Sequence, residues 1–142
     1  MTCDTNLAYP RRLRLTGSAD FSRVFKQNIS CGNQHFRILA QTGNGLGFAR
    51  LGQVVSRKVD RRAVARNRIK RLVRESFRSA RVPVLQKGLQ QPETGVDFVV
   101  LAQRRAAREN NNQLLRASLL QLWQQIETKL SREPGKLNNR IE

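Results

Sequence analysis

This 142-residue chain predicts an α+β protein, a two-layer α/β sandwich with helices on one face of a small sheet. Three observations predict it. Residues 36–41, 48–56 and 96–102 carry alternating or continuous apolar runs of strand length. Apolar residues at helical spacing flank and separate these runs. The order helix, strand pair, helix, strand, helix then makes one helix cross over between two strands.

Each element has a local reason. Residues 1–15 read as an arm, with Pro10, Arg11 and Arg12 ahead of Leu13-Arg14-Leu15. Thr16-Gly17-Ser18 reads as a helix start with Ser18 as N-cap, and Phe21, Val24 and Phe25 carry that helix to about Gln27. Residues 28–32 read as a turn or short edge strand. The next strand puts Phe36, Ile38 and Ala40 on one face. Thr42-Gly43-Asn44-Gly45 is a turn cluster, and residues 48–56 return from it to complete a hairpin. Gly52 lies in that second strand and permits close backbone approach.

A long helix starts near Arg61, with Asp60 placed to cap its first amides, and ends near Arg81 because Pro83 disfavours helical geometry at Val82. Residues 84–95, with Gly88, Pro92 and Gly95, read as a loop. Residues 96–102 are almost wholly apolar, which suits a strand buried on both faces. Arg104, Arg105 and Arg108 follow as a basic cluster, and Asn110 to Asn112 can start a last helix. Leu115, Leu119, Leu122, Trp123, Ile126 and Leu130 form its stripe. Residues 131–142 read as a disordered tail. One domain, residues 16–130, therefore lies between arm and tail.

Charge narrows the function. Lys and Arg number 27 against 10 Asp and Glu, a formal net charge of +17. Arg57, Lys58, Arg61, Arg62, Arg66, Arg68, Lys70, Arg71, Arg74, Arg78 and Arg81 face only Asp60 and Glu75 over residues 57–81. At about 100° per residue, Ala65, Ile69, Leu72, Val73, Ser76, Phe77 and Ala80 share one side of the helix, and Asn67, Lys70, Arg71, Arg74 and Arg78 the other. Arg66 and Arg68 lie at the borders. Solvated helix faces mix signs. Here only Glu75 can serve Arg71 or Arg78 one turn away, so the face repels itself and calls for a polyanionic partner.

Other chemistries have little to work with. Cys3 and Cys31 are lone thiols, expected free, and His35 is the single histidine, so a zinc site is not expected. Asp20, Asp60, Glu75, Asp97 and Glu109 show no metal-binding spacing. No apolar run nears the roughly 20 residues of a membrane span, and the N-terminus lacks a secretory core, so a cytoplasmic protein is expected. Catalysis belongs to a partner, or there is none. Phe21 and Phe25 either pack in the core or stack on bases. Asn67 is either an inert amide or a hydrogen-bond partner for RNA or for the water shell of a magnesium ion. Composition leaves open a ribozyme subunit, a ribosomal or ribosome-associated rRNA-binding protein, and a membrane-active or DNA-compacting protein.

The run Ala63-Val64-Ala65-Arg66-Asn67-Arg68-Ile69-Lys70-Arg71-Leu72-Val73-Arg74-Glu75-Ser76-Phe77-Arg78 resembles the arginine-asparagine-arginine helix of the protein component of bacterial ribonuclease P. Val54-Val55-Ser56-Arg57-Lys58-Val59 resembles the strand end and basic pair before that helix. Arg12-Leu13 through Phe21 and Phe25 resembles its first helix, and Asp97-Phe98-Val99-Val100 its last strand. The resemblance spans about residues 11–130. It implies a fold like ribosomal protein S5 domain 2, with a left-handed βαβ crossover against the usual right-handed rule.

It further implies that an RNA subunit cleaves precursor tRNA in a magnesium-dependent hydrolysis, with Mg2+ held mainly by RNA. The protein would bind that RNA through Arg57, Lys58, Arg61, Arg62, Arg66, Asn67, Arg68, Lys70, Arg71, Arg74 and Arg78. The 5′ leader of the precursor would lie in a cleft lined by Phe21, Phe25, Phe36 and Gln53. No catalytic residue and no metal ligand would come from the protein, which would act as a monomer, one per RNA, with no membrane partner. Arg57 stands where the family usually has lysine, and Gln53 where an apolar residue is common.

Overall fold

The structure is a computed structural model that describes residues 14–42, 49–88 and 95–132. In chain order the elements are α1 (Ser18–Lys26), β1 (Ile29–Gly32), β2 (Phe36–Thr42), β3 (Arg50–Val54), α2 (Ala63–Gly88), β4 (Val96–Ala102), α3 (Arg104–Arg108) and α4 (Asn112–Arg132). Most of the expected arm, the Asn44-Gly45 turn and residues 133–142 of the expected tail lie outside the described residues. The arm's end belongs to the body: the Leu15 amide donates to the Leu51 carbonyl at 2.8 Å, and the Leu15 side chain is buried.

Four strands form one mixed sheet in the order β1-β2-β4-β3. β2 pairs antiparallel with β1 and β4, and β3 pairs parallel with β4. The expected hairpin between residues 36–41 and 48–56 is therefore not formed, because β4 lies between its two arms. The reason is burial. β4 presents Phe98 and Val100 to one face and Val99 to the other, all at most 1% exposed. A strand apolar on both sides loses least to water in the middle of a covered sheet. The hairpin that does form joins β1 to β2, and Asn33 makes its turn. The Asn33 side-chain oxygen accepts from the amides of His35 and Phe36 at 2.8 and 2.9 Å.

Two helix boundaries differ from expectation. α1 is capped by Gly17, one residue before Ser18. α2 runs Ala63–Gly88, past the expected stop near Arg81 and into the expected loop. Proline inside a helix costs one hydrogen bond and biases its predecessor, but the turns on either side can carry it. α4 starts as expected, with the Asn111 side-chain oxygen accepting from the amides of Gln113 and Leu114 at 3.0 and 3.2 Å.

α2 and α4 pack on the sheet face that carries Phe36, Ile38, Phe98 and Val100. At the centre, Phe98 meets Trp123 edge-on, with ring centroids 5.2 Å apart, and Phe77 lies 6.2 Å from Phe98 and 5.7 Å from Trp123. The Trp123 indole donates to the Ser76 hydroxyl at 2.9 Å. The single-faced helix layer of the sequence reading is incomplete, because α1 lies on the opposite face. There Val24 packs with Leu15, Leu39 and Val99. His35 is a packing residue, with Nδ1 3.1 Å from the Ser118 hydroxyl. Cys31 is a free, buried thiol whose pKa burial raises, against the pull of Lys129 and Arg37.

One ion pair is buried under α1. Asp97 is 1% exposed and takes a two-pronged bond from Arg50, Nε to Oδ1 at 2.9 Å and a terminal nitrogen to Oδ2 at 2.8 Å. The two residues are register partners on β4 and β3, and Arg50 also reaches Asp20 of α1 at 3.5 Å. The hydrogen bond that Arg50 donates to Asp97 raises the Arg50 pKa against the effect of burial. Removing one partner strands the other charge. Asp97→Ala is expected to cost about 3 kcal/mol in chemical denaturation.

Candidate nucleic-acid interface

Asp60 braces the residue just before α2 and, among the hydrogen bonds of the described residues, takes none from the amides of α2 itself. The Asp60 carboxylate accepts from the Arg62 amide at 2.8 Å and pairs with the Arg62 guanidinium at 3.1 Å. Those hydrogen bonds from Arg62 hold the Asp60 carboxyl below its ordinary pKa. The apolar stripe is where the 3.6-residue period puts it. Ala65, Ile69, Leu72, Val73 and Phe77 are buried. Asn67 and Arg71 are exposed, and Arg66, Arg68, Lys70, Arg74 and Arg78 are half-buried. Arg57, Lys58, Arg61 and Arg62 lead into the helix, all exposed.

The partners of these cations matter more than their number. Arg66 donates to the Asp60 and Arg61 carbonyls at 3.0 and 2.8 Å. Arg68 donates to the Asn112 side-chain oxygen at 3.0 Å and to the Glu109 carbonyl. These acceptors are neutral. They fix where a guanidinium points and leave its charge uncompensated. Arg57, Lys58, Lys70, Arg71 and Arg74 form no ion pair with any described residue. Glu75, which the sequence placed to serve Arg71 or Arg78, reaches Arg116 of α4 at 3.5 Å. The result is a positive face with several donors already oriented, the form that phosphate recognition uses.

The four expected cleft residues are not brought together. Phe36 is fully buried in the core under α2 and α4, so it lines no open cleft. Its parity explains this: Phe36 shares a strand face with Ile38 and Ala40, and that face is the core. Gln53 is on the same side of the sheet. Its amide nitrogen donates to the Lys70 carbonyl at 3.1 Å, which supplies the partner a half-buried amide requires. Phe21 and Phe25 belong to the opposite face. Their rings stack at 6.3 Å and 25°, and Phe25 stays 47% exposed. Phe21 lies over Gly52, where an added Cβ would come within 2.6 Å of the ring. Arg37, exposed on this second sheet face, was not singled out, although strand alternation from Phe36 would have found it.

Arg104 was also missed as a neighbour of α2. Its Nε donates to the Lys58 carbonyl at 3.1 Å, which puts α3 beside the lead-in to α2. Among the described residues, no three His, Cys, Asp or Glu side chains are grouped to hold a metal ion. No helix among them is long and apolar enough to cross a membrane.

A mixed four-stranded sheet, a helix crossing between its parallel strands and a cationic face on that helix define a class: small basic α+β proteins with one long cationic helix. The ribonuclease P family model matches residues 9–127. The ribonuclease P protein component of Marinobacter nauticus is 40% identical over 87% of this chain and 85% of its own length. The solved RNase P protein of Thermotoga maritima is similar at 34% identity, with a TM-score of 0.63 over 80% of this chain and 96% of that one. That of Staphylococcus aureus is similar at 28% identity and a TM-score of 0.63, over 79% and 93% of the two chains. The chain belongs to the ribonuclease P protein family.

Two substitutions test the geometry. Arg68→Ala removes two hydrogen bonds that brace α2 against the α3–α4 turn and should lower stability by about 1–2 kcal/mol. Arg71→Ala, on the open face, should change it by less than about 0.5 kcal/mol. Equal midpoints in urea would show that the brace contributes nothing. Gly52→Ala should displace the Phe21 ring, at a cost of about 1–3 kcal/mol, with altered chemical shifts for that ring.

Proposed function

We propose that this chain is the protein subunit of a ribonuclease P ribonucleoprotein. In this reading the α2 face, with Arg57, Lys58, Arg61, Arg62, Arg66, Asn67, Lys70, Arg71, Arg74 and Arg78, binds the catalytic RNA, and Arg68 adds its charge while bracing the helix. Phe21 and Phe25, with Arg37 on the same sheet face, hold the single-stranded 5′ leader of precursor tRNA. The RNA hydrolyses the phosphodiester bond. The protein works in the cytoplasm as a monomer, one per RNA.

One observation carries this reading. The arginines at the edges of the α2 face bond to carbonyl and amide oxygens, so the helix keeps its charge for a polyanion. Family membership favours ribonuclease P RNA over ribosomal RNA as that polyanion. The protein's part is grip and charge compensation, which lowers repulsion between two RNAs brought into contact. Among the described residues no carboxylates are grouped to hold a magnesium ion, and in this reading Mg2+ is held mainly by the RNA phosphates.

Reconstitution tests the reading. With the cognate RNA subunit at low magnesium, the protein should restore removal of the 5′ leader; an absence of stimulation would overturn the assignment. In the same assay Phe25→Ala should weaken leader-bearing substrate about tenfold, within the range of one lost base stack, and leave mature tRNA binding unchanged.

A further inference from the structure

At one end of the sheet, the β1–β2 turn meets the junction of β4 with α3. The Gln103 amide donates to the His35 carbonyl at 2.8 Å and holds that junction closed. Between the two lies a shallow groove of about 560 Å³, lined by Asn33, Gln34, Gln103, Arg104 and Arg105. Its rim is built of amides and guanidiniums. α3 is five residues long and three of them are arginine, while Ala106 and Ala107 are its buried side.

The arginines here follow the pattern of the α2 face. Arg105 donates across the groove to the Gln34 side-chain oxygen at 3.0 Å. Arg104 is held by the Lys58 carbonyl. Arg108 is exposed one turn further on. None of the three forms an ion pair with a described residue. The adjacent acid, Glu109, turns its carboxylate to the Asn111 amide at 3.0 Å. Such a short helix with three like charges repels itself, and an amide acceptor orients a charge without cancelling it. The groove opens beside Lys58, so it continues the positive surface around the start of α2 in a second direction.

We infer that this groove and the adjoining exposed edge of α3 form a second RNA-backbone site, in which Arg105 at the groove and Arg108 one turn beyond its lining bind phosphate oxygens and the Gln34 and Gln103 amides reach ribose hydroxyls. Amides and arginine forks without an aromatic ring fit a sugar-phosphate backbone better than unstacked bases. The site rests on the proposal that the chain binds a ribonuclease P RNA. It adds a contact that neither the α2 face nor the aromatic pair of α1 supplies.

Salt-dependent binding to the cognate RNA subunit separates the two ideas. Arg105→Gln with Arg108→Gln removes two exposed cations, so the thermal midpoint should stay unchanged. The slope of log K against log salt should fall by about 1.4–1.8, the value for two phosphate contacts, and Kd should rise at least about tenfold. Arg105→Lys with Arg108→Lys should recover the slope and part of the affinity. An unchanged slope and Kd in the glutamine variant, with Arg71→Gln and Arg74→Gln lowering both, would overturn the groove and leave the α2 reading standing. An acidic protein as the groove's true partner would give that same result. Wild-type protein that does not bind the RNA at all would overturn both readings.

Discussion

The contact on which the rest depends is the junction of Phe77, Phe98 and Trp123. It seats α2 and α4 on the central strand in one place. Burying each of these rings contributes on the order of 2–3 kcal/mol. Like charges one turn apart on α2 cost only a few tenths of a kcal/mol per pair. Burial wins by a wide margin, so the helix forms and docks in spite of its cationic side. Trp123 also ties its indole to Ser76, which fixes the rotation of α2 about its axis. With that rotation fixed, Asn67 and Arg71 can only point outward.

Charge is distributed with the same economy. Asp97 and Asp20 lie on the α1 side of the sheet, where they hold Arg50 and tie α1 to β3 and β4. On the α2 side, the carboxylates of Asp60 and Glu75 are directed to Arg62 and Arg116. Arg66, Arg68, Arg104 and Arg105 are oriented by carbonyl or amide oxygens. Separation of the two tasks follows. A carboxylate partner stabilises the fold by cancelling a charge, whereas a neutral partner positions a charge and keeps its field. The first kind holds the body together, and the second keeps its surface positive.

The sheet order shows how far local pattern reaches. Residues 36–41 and 48–56 are neighbours in sequence with a turn signal between them, which is the ordinary setting for a hairpin. They lost to β4, whose two apolar faces demand the centre. The same competition decided Phe36. An aromatic beside cations looks like a stacking surface, but its parity with Ile38 and Ala40 commits it to the core. Both outcomes follow from burial that the whole sheet shares.

Local period was legible in the residues themselves. The α2 stripe, the α4 stripe, the double-sided burial of β4, the Asn111 cap and the split of α2 into core and cationic sides all follow from spacing along one segment. The resemblance to the ribonuclease P protein family was legible too, because its helix motif is one uninterrupted run. Only the folded chain decided the neighbours of each strand, the face that α1 covers, the bracing of Arg68 by residues 109 and 112, and the meeting of Arg104 with Lys58. Those depend on pairing between segments far apart in sequence, and a long guanidinium can reach many acceptors. Spacing states which side of an element is apolar, and only packing determines what that side meets.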